Sequence, residues 1–359
     1  MTHRPRLFWG NITFERQLEV TGNTPSRSLQ RLEAELSSMW LAMARPGDVI
    51  YSPQGVSKEF ATQLPIAREV LWWDGSSPLP FEADFIEFVP WGWSAAAVHQ
   101  ARAWKCSVVA PPVDVVRFSN SREFSAQQEL ELSCQLPGAT TLHSMGDLLA
   151  AVAEWSADQR WVIKANLGHA ARERVIGSGS SPDDSIVSWC QRRFTQRQPL
   201  YLEPWVDRVS EVGVQWDIPQ RGEPRLIGLA ELLTSERGEY CGSRVVAGLE
   251  ASWKDAIHVQ REVMSRLQQL GYFGPVGIDA MRYRDAVGET HVRPLQDINA
   301  RLTMGRMAWE WANCFQSAGR WLHASRSPGP LAVSTSPEAL GDVPVMHRTW
   351  WIPEGQRSE

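Results

Sequence analysis

The chain has 359 residues, a length that suggests two or three domains with room for hydrophobic cores. Its formal net charge is -5 at pH 7, and acidic and basic residues are interspersed, which excludes a basic surface that clamps nucleic acid. The basic residues are four lysines and 32 arginines, beside 18 tryptophans. A codon bias explains this imbalance for the composition as a whole, but not for each position.

The N-terminal sequence and the cysteines predict a cytoplasmic protein. Residues 1–11 contain no apolar segment typical of a signal peptide, and no run of about 18 apolar residues is present to span a membrane. The five cysteines are widely spaced and form no CxxC motif, which argues against a disulfide framework or a zinc ribbon. We therefore expect neither a membrane nor a nucleic-acid partner.

Strands and helices alternate in the first third of the chain. Strands are predicted at 6–10, 48–52, 69–73, 84–89 and 106–110, and helices at 28–45 and 94–104. This alternation predicts a parallel sheet with its ligand crevice at the strand C-termini. Between the last strands, Trp91 and Trp93 flank a turn; they are either a stacking platform for a substrate or core and interface residues.

The rest of the chain is predicted to be mixed α and β structure. Helices are predicted at 119–133, 145–155, 254–270 and 306–324, and strands at 161–164, 200–203, 211–218, 224–233, 277–284 and 291–299. A loop rich in Gly, His and Arg follows at 165–179, and the tail from residue 325 is rich in Pro, Ser and Gly. Within the tail, residues 349–354 are either a docked strand or an interface element.

Lys164 is the first candidate functional residue. The chain has no GxxxxGK[ST], HExxH or GxSxG motif, so Walker, zincin and hydrolase sites are excluded. No GxGxxG follows an early strand either, which argues against a dehydrogenase. Lys164 ends an apolar strand beside a glycine-containing loop, where an ammonium group can meet phosphate oxygens while its stem stays packed.

Two strands near the end of the folded region predict a metal site. If they form a hairpin centred on Gly288, Asp279 lies opposite Asp297, and Asn299 lies on the same face two residues further on. Two carboxylates at this distance repel each other, and Mg²⁺ resolves the conflict because it takes oxygen ligands and bridges to phosphates. The alternative is that Asp279 is a turn residue and Asp297 pairs with a nearby arginine, Arg293 or Arg301.

Four sequence blocks resemble the ATP-grasp superfamily of carboxylate-amine ligases. They are Val162-Ile-Lys164 with its glycine loop, Leu202-Glu-Pro-Trp-Val206, Gly271-Tyr-Phe-Gly-Pro-Val-Gly-Ile-Asp-Ala280 and Asp297-Ile-Asn-Ala-Arg301. The resemblance spans roughly residues 119–325. It implies an α/β, mixed α+β fold in which a Rossmann-like pre-ATP-grasp domain at 1–118 precedes a two-subdomain ATP-grasp domain at 119–325. The lid subdomain is predicted at about 138–201, and the C-terminal tail at 326–359.

The resemblance also implies roles for individual residues. Lys164 contacts the ATP phosphates, and Arg301 binds the acyl phosphate or the carboxylate. The hinge segment meets the adenine edge and a later carboxylate holds the ribose; the matching residues are Glu203, Trp205, Val206 and Glu211. Asp279, Asp297 and Asn299 match the ligands of Mg²⁺, which Mn²⁺ could replace.

This sequence departs from the family pattern at two places. Where the family often has a second lysine before the lid, this chain offers Arg122, which can serve a phosphate with fork geometry. Asp279 and Asp297 stand where glutamates are commoner, so each side chain is one methylene shorter. Neither change removes a charge or an oxygen ligand.

Several loop residues have a functional and an ordinary interpretation. Gly168, His169, Arg172 and Arg174 are phosphate contacts or solvated loop residues. The arginines of the 237–244 loop suit an anionic substrate or belong to a plain loop. The predicted activity is ligation of a small carboxylate to an amine with ATP; the alternative is a nucleotide-binding regulatory or scaffold protein without ligase activity. The carboxylate, the amine and any homo-oligomeric state stay open.

Overall fold

The computed structural model describes residues 4–19, 26–64, 69–79, 81, 85–168, 173–235 and 239–354. The first unit contains β1 (Arg6–Trp9), α1 (Phe14–Glu19), α2 (Arg27–Glu35), a 3-10 helix (Ser37–Ala42), β2 (Val49–Tyr51), α3 (Lys58–Gln63), β3 (Leu71–Trp73), β4 (Glu87–Pro90), α4 (Ala95–Ala103) and α5 (Val113–Ser119). Its four strands pair in parallel in the order β3-β2-β1-β4, as the alternating pattern predicts. Its likeness to a Rossmann domain stays a prediction.

The predictions for this unit were wrong at two places. Residues 106–110 do not form a fifth strand; Ser107 makes only an isolated parallel bridge to Glu87. The predicted helix at 28–45 is instead α2 followed by the 3-10 helix, with Leu36 between them. The start of the strand predicted at 84–89 lies outside the described residues, and the strand observed is β4.

The second unit is a small antiparallel sheet with two helices. It contains α6 (Arg122–Glu131), which leads into it, then β5 (Thr140–Leu142), α7 (Met145–Ala153), β6 (Arg160–Ala165), β7 (Arg174–Ser178), α8 (Asp184–Thr195) and β8 (Leu200–Pro204). The strand order is β5-β8-β6-β7. We call β5 to β8 with α7 and α8 the lid; it has its own apolar core.

The second half of the segment predicted as a loop at 165–179 is a strand. β7 pairs antiparallel with β6, so that Trp161 lies opposite Gly177. A Cβ at Gly177 would lie 2.1 Å from the Trp161 ring, so the indole occupies the space above the glycine. The glycine that suggested a loop is thus a packing requirement inside a strand.

The third unit is an eight-stranded sheet. It contains β9 (Asp207–Ile218), β10 (Arg225–Thr234), β11 (Tyr240–Val245), α9 (Leu249–Ser252), α10 (Lys254–Gln269), β12 (Gly274–Arg284), β13 (Thr290–Asn299), α11 (Met304–Phe315), β14 (Gly319–His323), β15 (Val333–Ser334) and β18 (Thr349–Pro353), while β16 (Ala339–Leu340) pairs with β17 (Val343–Pro344). The order is β13-β12-β9-β10-β11-β14-β18-β15.

The helix predicted at 306–324 was too long. α11 ends at Phe315, Gln316 adopts a left-handed conformation with φ of 48°, and β14 follows. β14 pairs with β18, so residues 349–353 of the tail are a docked strand, one of the two alternatives. The domain boundaries at 118 and 325 stay predictions.

Seven tryptophans are among the largest fully buried side chains: Trp40, Trp91, Trp161, Trp216, Trp311, Trp321 and Trp351. Much of the tryptophan excess therefore fills the core, and Trp91, 2% exposed, belongs to it rather than to an open stacking platform. Within the described ranges, no helix is long and apolar enough to cross a membrane.

Candidate functional site

A cleft of about 880 Å³ lies between the lid and the eight-stranded sheet. Arg160 and Ile176 line it from the lid, residues 205–211 from the connection and the start of β9, and residues 232–235 from β10. The predicted nucleotide residues Trp205, Val206 and Glu211 are all among the lining residues. The structure thus brings together three of the four predicted hinge and ribose residues at one cleft.

Three guanidinium groups surround the ring of Trp205. The Cζ atoms of Arg160, Arg174 and Arg208 lie 4.9, 5.8 and 5.9 Å from its centroid. Burial and the neighbouring Arg208 lower the pKa of Arg174. The cleft therefore has a cationic wall around Trp205, which suits an anionic ligand.

Lys164 and Glu203 form a close ion pair inside the lid. The Nζ atom of Lys164 lies 2.5 Å from Oε2 of Glu203, on the neighbouring strand. Burial lowers the pKa of Lys164, although Glu203 acts in the opposite direction. Burial alone would raise the pKa of Glu203, but Arg293 and Lys164 outweigh it and hold the pKa well below its usual range.

Arg293 joins the lid to the rest of the molecule. It lies on β13, its side chain is 2% exposed, and its Nη1 and Nη2 donate to Glu203 at 3.1 and 3.0 Å. Its Nε and Nη2 donate to Glu129 of α6, the latter at 2.8 Å. The pKa of Arg293 is raised well above its usual value, because the two carboxylates outweigh burial.

Little in the sequence indicated this network. Arg293 entered the predictions only as a partner for Asp297, which was wrong, and Glu129 did not enter them. Both oxygens of Glu203 accept hydrogen bonds from protein cations, so this carboxylate acts first as a counter-ion inside the lid. Its predicted contact with the adenine edge stays a prediction.

Glu211 is held at the wall of the cleft. It is 8% exposed, and its carboxylate accepts from Arg208 Nη1 at 3.0 Å and from Gln296 Nε2 at 2.6 Å. Gln296 lies on β13, next to Asp297 in the chain. An ionised carboxylate has more than two acceptor sites, so Glu211 can still accept a hydrogen bond from a ribose hydroxyl.

The hairpin register at the candidate metal site is as predicted. Asp279 pairs with Asp297, and Gly277 pairs with Asn299, so these three polar side chains lie on one face. Beyond Asp279 the register shifts by two residues, and Pro294 lies in the bulge. Proline has no N–H to donate to the ladder, which accounts for the shift.

The carboxylates of this face are close enough to perturb one another. Burial, followed by the charges of Asp297 and Glu211, raises the pKa of Asp279 to about 8. Arg122 contacts Asp297, with its Nη1 3.6 Å from Oδ1. Carboxylate and amide oxygens are the ligands that Mg²⁺ prefers, and a cation would remove the repulsion, so these residues fit the metal that the resemblance implies.

A second group of potential ligands lies in the turn of the same hairpin. In the described part of the chain, Asp285, Glu289 and His291 are the one group of three His, Cys, Asp or Glu residues whose ligand atoms lie within 4.8 Å of one another. Asp285 accepts hydrogen bonds from the backbone N–H groups of Val287 and Glu289 and contacts His291 Nε2. Its carboxylate thus stabilises the turn, where Gly288 has φ of +85°.

Arg301 lies at the junction of the eight-stranded sheet and the N-terminal unit. Its Nη2 donates to Asn299 Oδ1 and its Nη1 to the carbonyl of Leu302, both at 2.9 Å. Its Nε lies 2.7 Å from Oε1 of Glu15, a residue that the sequence did not single out. The predicted carboxylate-binding arginine therefore already contacts a carboxylate of the protein.

The remaining residues predicted as loop contacts do not lie together at one site. Arg244 lies on β11 and contacts Glu231 and Glu354, so it is a strand residue with its own partners rather than a loop contact. Arg174 lies on β7 and faces the cleft through Trp205. Gly168 is the last described residue before a gap at 169–172. Three further candidates lie outside the described residues: His169, Arg172 and Arg237.

The lid, the eight-stranded sheet and the cleft between them form the two-subdomain arrangement that the sequence resemblance implies. The sequence matches no protein-family model and no curated protein. Solved structures do match. N5-carboxyaminoimidazole synthetase from Staphylococcus aureus, complexed with ADP, is 8% identical and matches 90% of this chain and 91% of its own with a TM-score of 0.54.

Two biotin carboxylase structures are also similar to this chain. The biotin carboxylase domain of 2-oxoglutarate carboxylase from Hydrogenobacter thermophilus, with MgADP, ADP and bicarbonate, is 10% identical with a TM-score of 0.57 over 89% of this chain and 84% of its own. Biotin carboxylase from Campylobacter jejuni, in a beta-gamma-ATP complex, is 11% identical with a TM-score of 0.53 over 74% and 71%. The chain therefore has the ATP-grasp fold.

Replacing Arg293 by methionine should destabilise the protein strongly. Glu129 and Glu203 would be left buried with an uncompensated charge, which costs ~3–5 kcal/mol when a buried partner is removed. Urea unfolding measures the change. The matched control is Arg284→Met, which removes an exposed pair with Asp207 and should cost no more than ~1 kcal/mol. Equal unfolding midpoints for the two variants would contradict the role of Arg293.

Replacing Asp279 by asparagine should stabilise the metal-free protein, and more so as the pH rises. Asp279 has a pKa of about 8 in the folded chain against 3.8 for the ordinary group, so the folded state binds the extra proton and loses stability between these values. Thermal unfolding in EDTA at pH 5 and pH 8 measures the effect, expected to be at least ~1 kcal/mol at pH 8. Asp342→Asn, at an exposed position, should change neither value. If Asp279→Asn unfolded at a lower temperature than wild type at pH 8, the raised pKa of Asp279 would be refuted.

Proposed function

We propose that the protein is an ATP-dependent ligase that joins a small carboxylate to an amine. One observation carries the proposal: Asp279, Asp297 and Asn299 share one face of the sheet that forms a wall of a cleft suited to a nucleotide. Simple binding of a nucleotide base needs no such convergence of oxygen ligands. The solved structures with this fold that are named above are complexes with ADP, MgADP or beta-gamma-ATP, which supports ATP with Mg²⁺.

The proposed reaction has two steps. A carboxylate oxygen of the substrate attacks the γ-phosphorus of ATP, the bond from that phosphorus to the β-bridging oxygen breaks, and ADP leaves. The amine then attacks the carbonyl carbon of the acyl phosphate, the carbon–oxygen bond to phosphate breaks, and the amine releases a proton. Positioning and charge neutralisation supply most of the catalysis in such phosphoryl transfers.

We assign roles to three residues that line the cleft and to the candidate phosphate, metal and carboxylate residues outside its lining. Trp205 and Val206 hold the base, Glu211 the ribose, and Lys164 and Arg122 neutralise phosphate charge. Asp279, Asp297 and Asn299 would hold Mg²⁺, which when bound supplies charge neutralisation at the phosphates. Arg301 steadies the carboxylate and the acyl phosphate from the end of β13. Mn²⁺ in place of Mg²⁺, and a homo-oligomer, stay open.

A second candidate is a nucleotide-binding regulatory protein without ligase activity. Two ion pairs favour it. Lys164 and Arg301, which a ligase would use to contact its substrates, already contact Glu203 and Glu15 of the protein. In such a protein ATP would bind and shift the lid, but no carboxylate would stimulate formation of ADP. The three oxygen ligands favour the ligase.

Turnover of ATP tests the proposal. With Mg²⁺, release of ADP and phosphate should rise with at least one member of a panel of small carboxylates and amines. Asp297→Ala should lower this turnover by about 100-fold or more, because it removes a metal ligand. The control Asp342→Ala, at an exposed position, should keep it. Undiminished turnover in Asp297→Ala would refute the metal assignment, and ATP binding without any turnover would favour the regulatory protein.

A further inference from the structure

Glu211, at the wall of the cleft, is held by one donor on each of its two carboxylate oxygens. Arg208, three residues earlier on β9, donates from Nη1 to Oε2 at 3.0 Å, and Gln296 of β13 donates from Nε2 to Oε1 at 2.6 Å. An ionised carboxylate has about four acceptor sites, so one site on each oxygen stays open. Because the two donors come from different strands, the carboxylate cannot rotate without losing one of them.

A bulge in β13 brings Gln296 to this carboxylate. Side chains alternate along a strand, so in a regular strand Gln296 would point away from the face that carries its neighbour Asp297. Asp297 pairs with Asp279, and two residues along β12 from that pair, Met281 pairs with Glu211. Glu211 therefore lies on the face of Asp297. The register shift beyond Asp279 places extra residues in β13, and such a bulge re-aims the side chain of Gln296 toward Glu211.

The bulge is fixed from the opposite face of the sheet. Gln260 of α10 donates from Nε2 to the carbonyl of Pro294 at 2.8 Å, and its Oε1 accepts from the indole Nε1 of Trp216 at 3.0 Å. Gln260 and Leu295 are fully buried. A strand segment that is buried and hydrogen-bonded on its far side holds the side chain of Gln296 in place, as a preorganised site requires.

Packing alone gives no reason for a glutamine at position 296. The Oε1 atom of Gln296 is buried and has no hydrogen-bond partner among the described residues. A buried polar group without a partner costs free energy, and a methionine of similar length would avoid that cost. The bond that this amide does make is its donation to Glu211, so that bond is what the glutamine contributes.

We propose that Gln296 is a positioning residue that fixes Glu211 for the two hydroxyls of a ribose, so that the cleft selects ribonucleotides over deoxyribonucleotides. The inference deepens the proposed function and rests on it, because Glu211 is assigned to the ribose there. The 2′- and 3′-hydroxyls offer two donors side by side, and the clamped carboxylate offers one open acceptor site on each oxygen. Gln296 does not touch the nucleotide but acts through Glu211.

The same strand segment also carries a candidate metal ligand. Gln296 and Asp297 are consecutive residues of β13, so a shift of this segment moves the ribose contact and the metal contact together. A change in overall nucleotide affinity therefore does not identify the role of Gln296. A ratio between nucleotides that differ only in one ribose hydroxyl does, because the effect on the metal is common to both ligands.

The test measures dissociation constants by calorimetry in the presence of Mg²⁺. The ligands are the β,γ-methylene analogues of ATP, 2′-deoxy-ATP and 3′-deoxy-ATP, which share the base and the phosphates. The proteins are wild type, Gln296→Met, Gln296→Asn and Gln127→Met. Gln127 is the matched control, because it is exposed on α6 and also donates to a glutamate, Glu131, at 2.8 Å.

Wild type and Gln127→Met should bind the ATP analogue at least about 10-fold more tightly than one of the deoxy analogues, because that ligand lacks a hydrogen bond to a charged group. In Gln296→Met, and in Gln296→Asn with its shorter amide, this ratio should fall below about 3, as expected when that bond is no longer oriented. The affinity for the same deoxy analogue should stay close to that of wild type, which reports a folded cleft.

An unchanged ratio in both Gln296 variants would overturn the proposal. So would an equal loss of affinity for all three ligands, because Gln296 would then have only a structural role. Equal binding of the three analogues by wild type would also overturn it, since the cleft would not select the ribose. If wild type bound none of them, the proposed function itself would be refuted, and this proposal with it.

Discussion

The buried contact of Arg293 with Glu129 and Glu203 holds the candidate site together. Each of the three residues comes from a different part of the molecule: β13 of the large sheet, α6 and the lid strand β8. Lys164 extends the network to β6, whose N-terminal residue Arg160 lines the cleft. An arginine suits this position because its planar fork can serve two carboxylates while it stays fully charged. The lid is thus held over the sheet by electrostatic contacts that water cannot readily replace.

A different balance operates at the candidate metal-binding face. There, burial and neighbouring carboxylates raise the pKa of Asp279. The nearby cation is Arg122, which contacts Asp297. The network around Arg293 favours the folded state, whereas the charges around Asp279 oppose it until a cation compensates them. Residues that cost stability at a cleft are expected at functional sites, because the same arrangement that repels protein charges binds the ligand.

Local sequence patterns predicted the parts of the fold that depend on local physics. The pairing of Asp279 with Asp297 follows from the alternation of strand faces and from a turn that needs a residue with positive φ, here Gly288. The same pattern could not predict the register shift beyond Asp279, which depends on how Pro294 is accommodated. Nor could periodicity separate α11 from β14, since Gln316 ends the helix in a conformation that glycine or asparagine usually adopts.

The partners of the charged residues were beyond local prediction. Arg301 and Lys164 were identified as candidates from their places in the sequence, but their contacts with Glu15 and Glu203 depend on tertiary packing. Residue spacing gives no sign of the Glu15–Arg301 contact, which joins two units far apart in the chain. The one available signal for this contact was the position of Glu15, an acidic residue that follows a parallel strand and its loop.

The proposed function requires that a nucleotide binds between the lid and the eight-stranded sheet. Hydrogen–deuterium exchange with and without Mg²⁺ and a non-hydrolysable ATP analogue measures this binding. We expect slower exchange in β7 and in residues 205–211, which lie at the cleft, and no change in the hairpin turn at 285–289. Unchanged exchange in both cleft segments, or protection confined to the N-terminal parallel sheet, would contradict it.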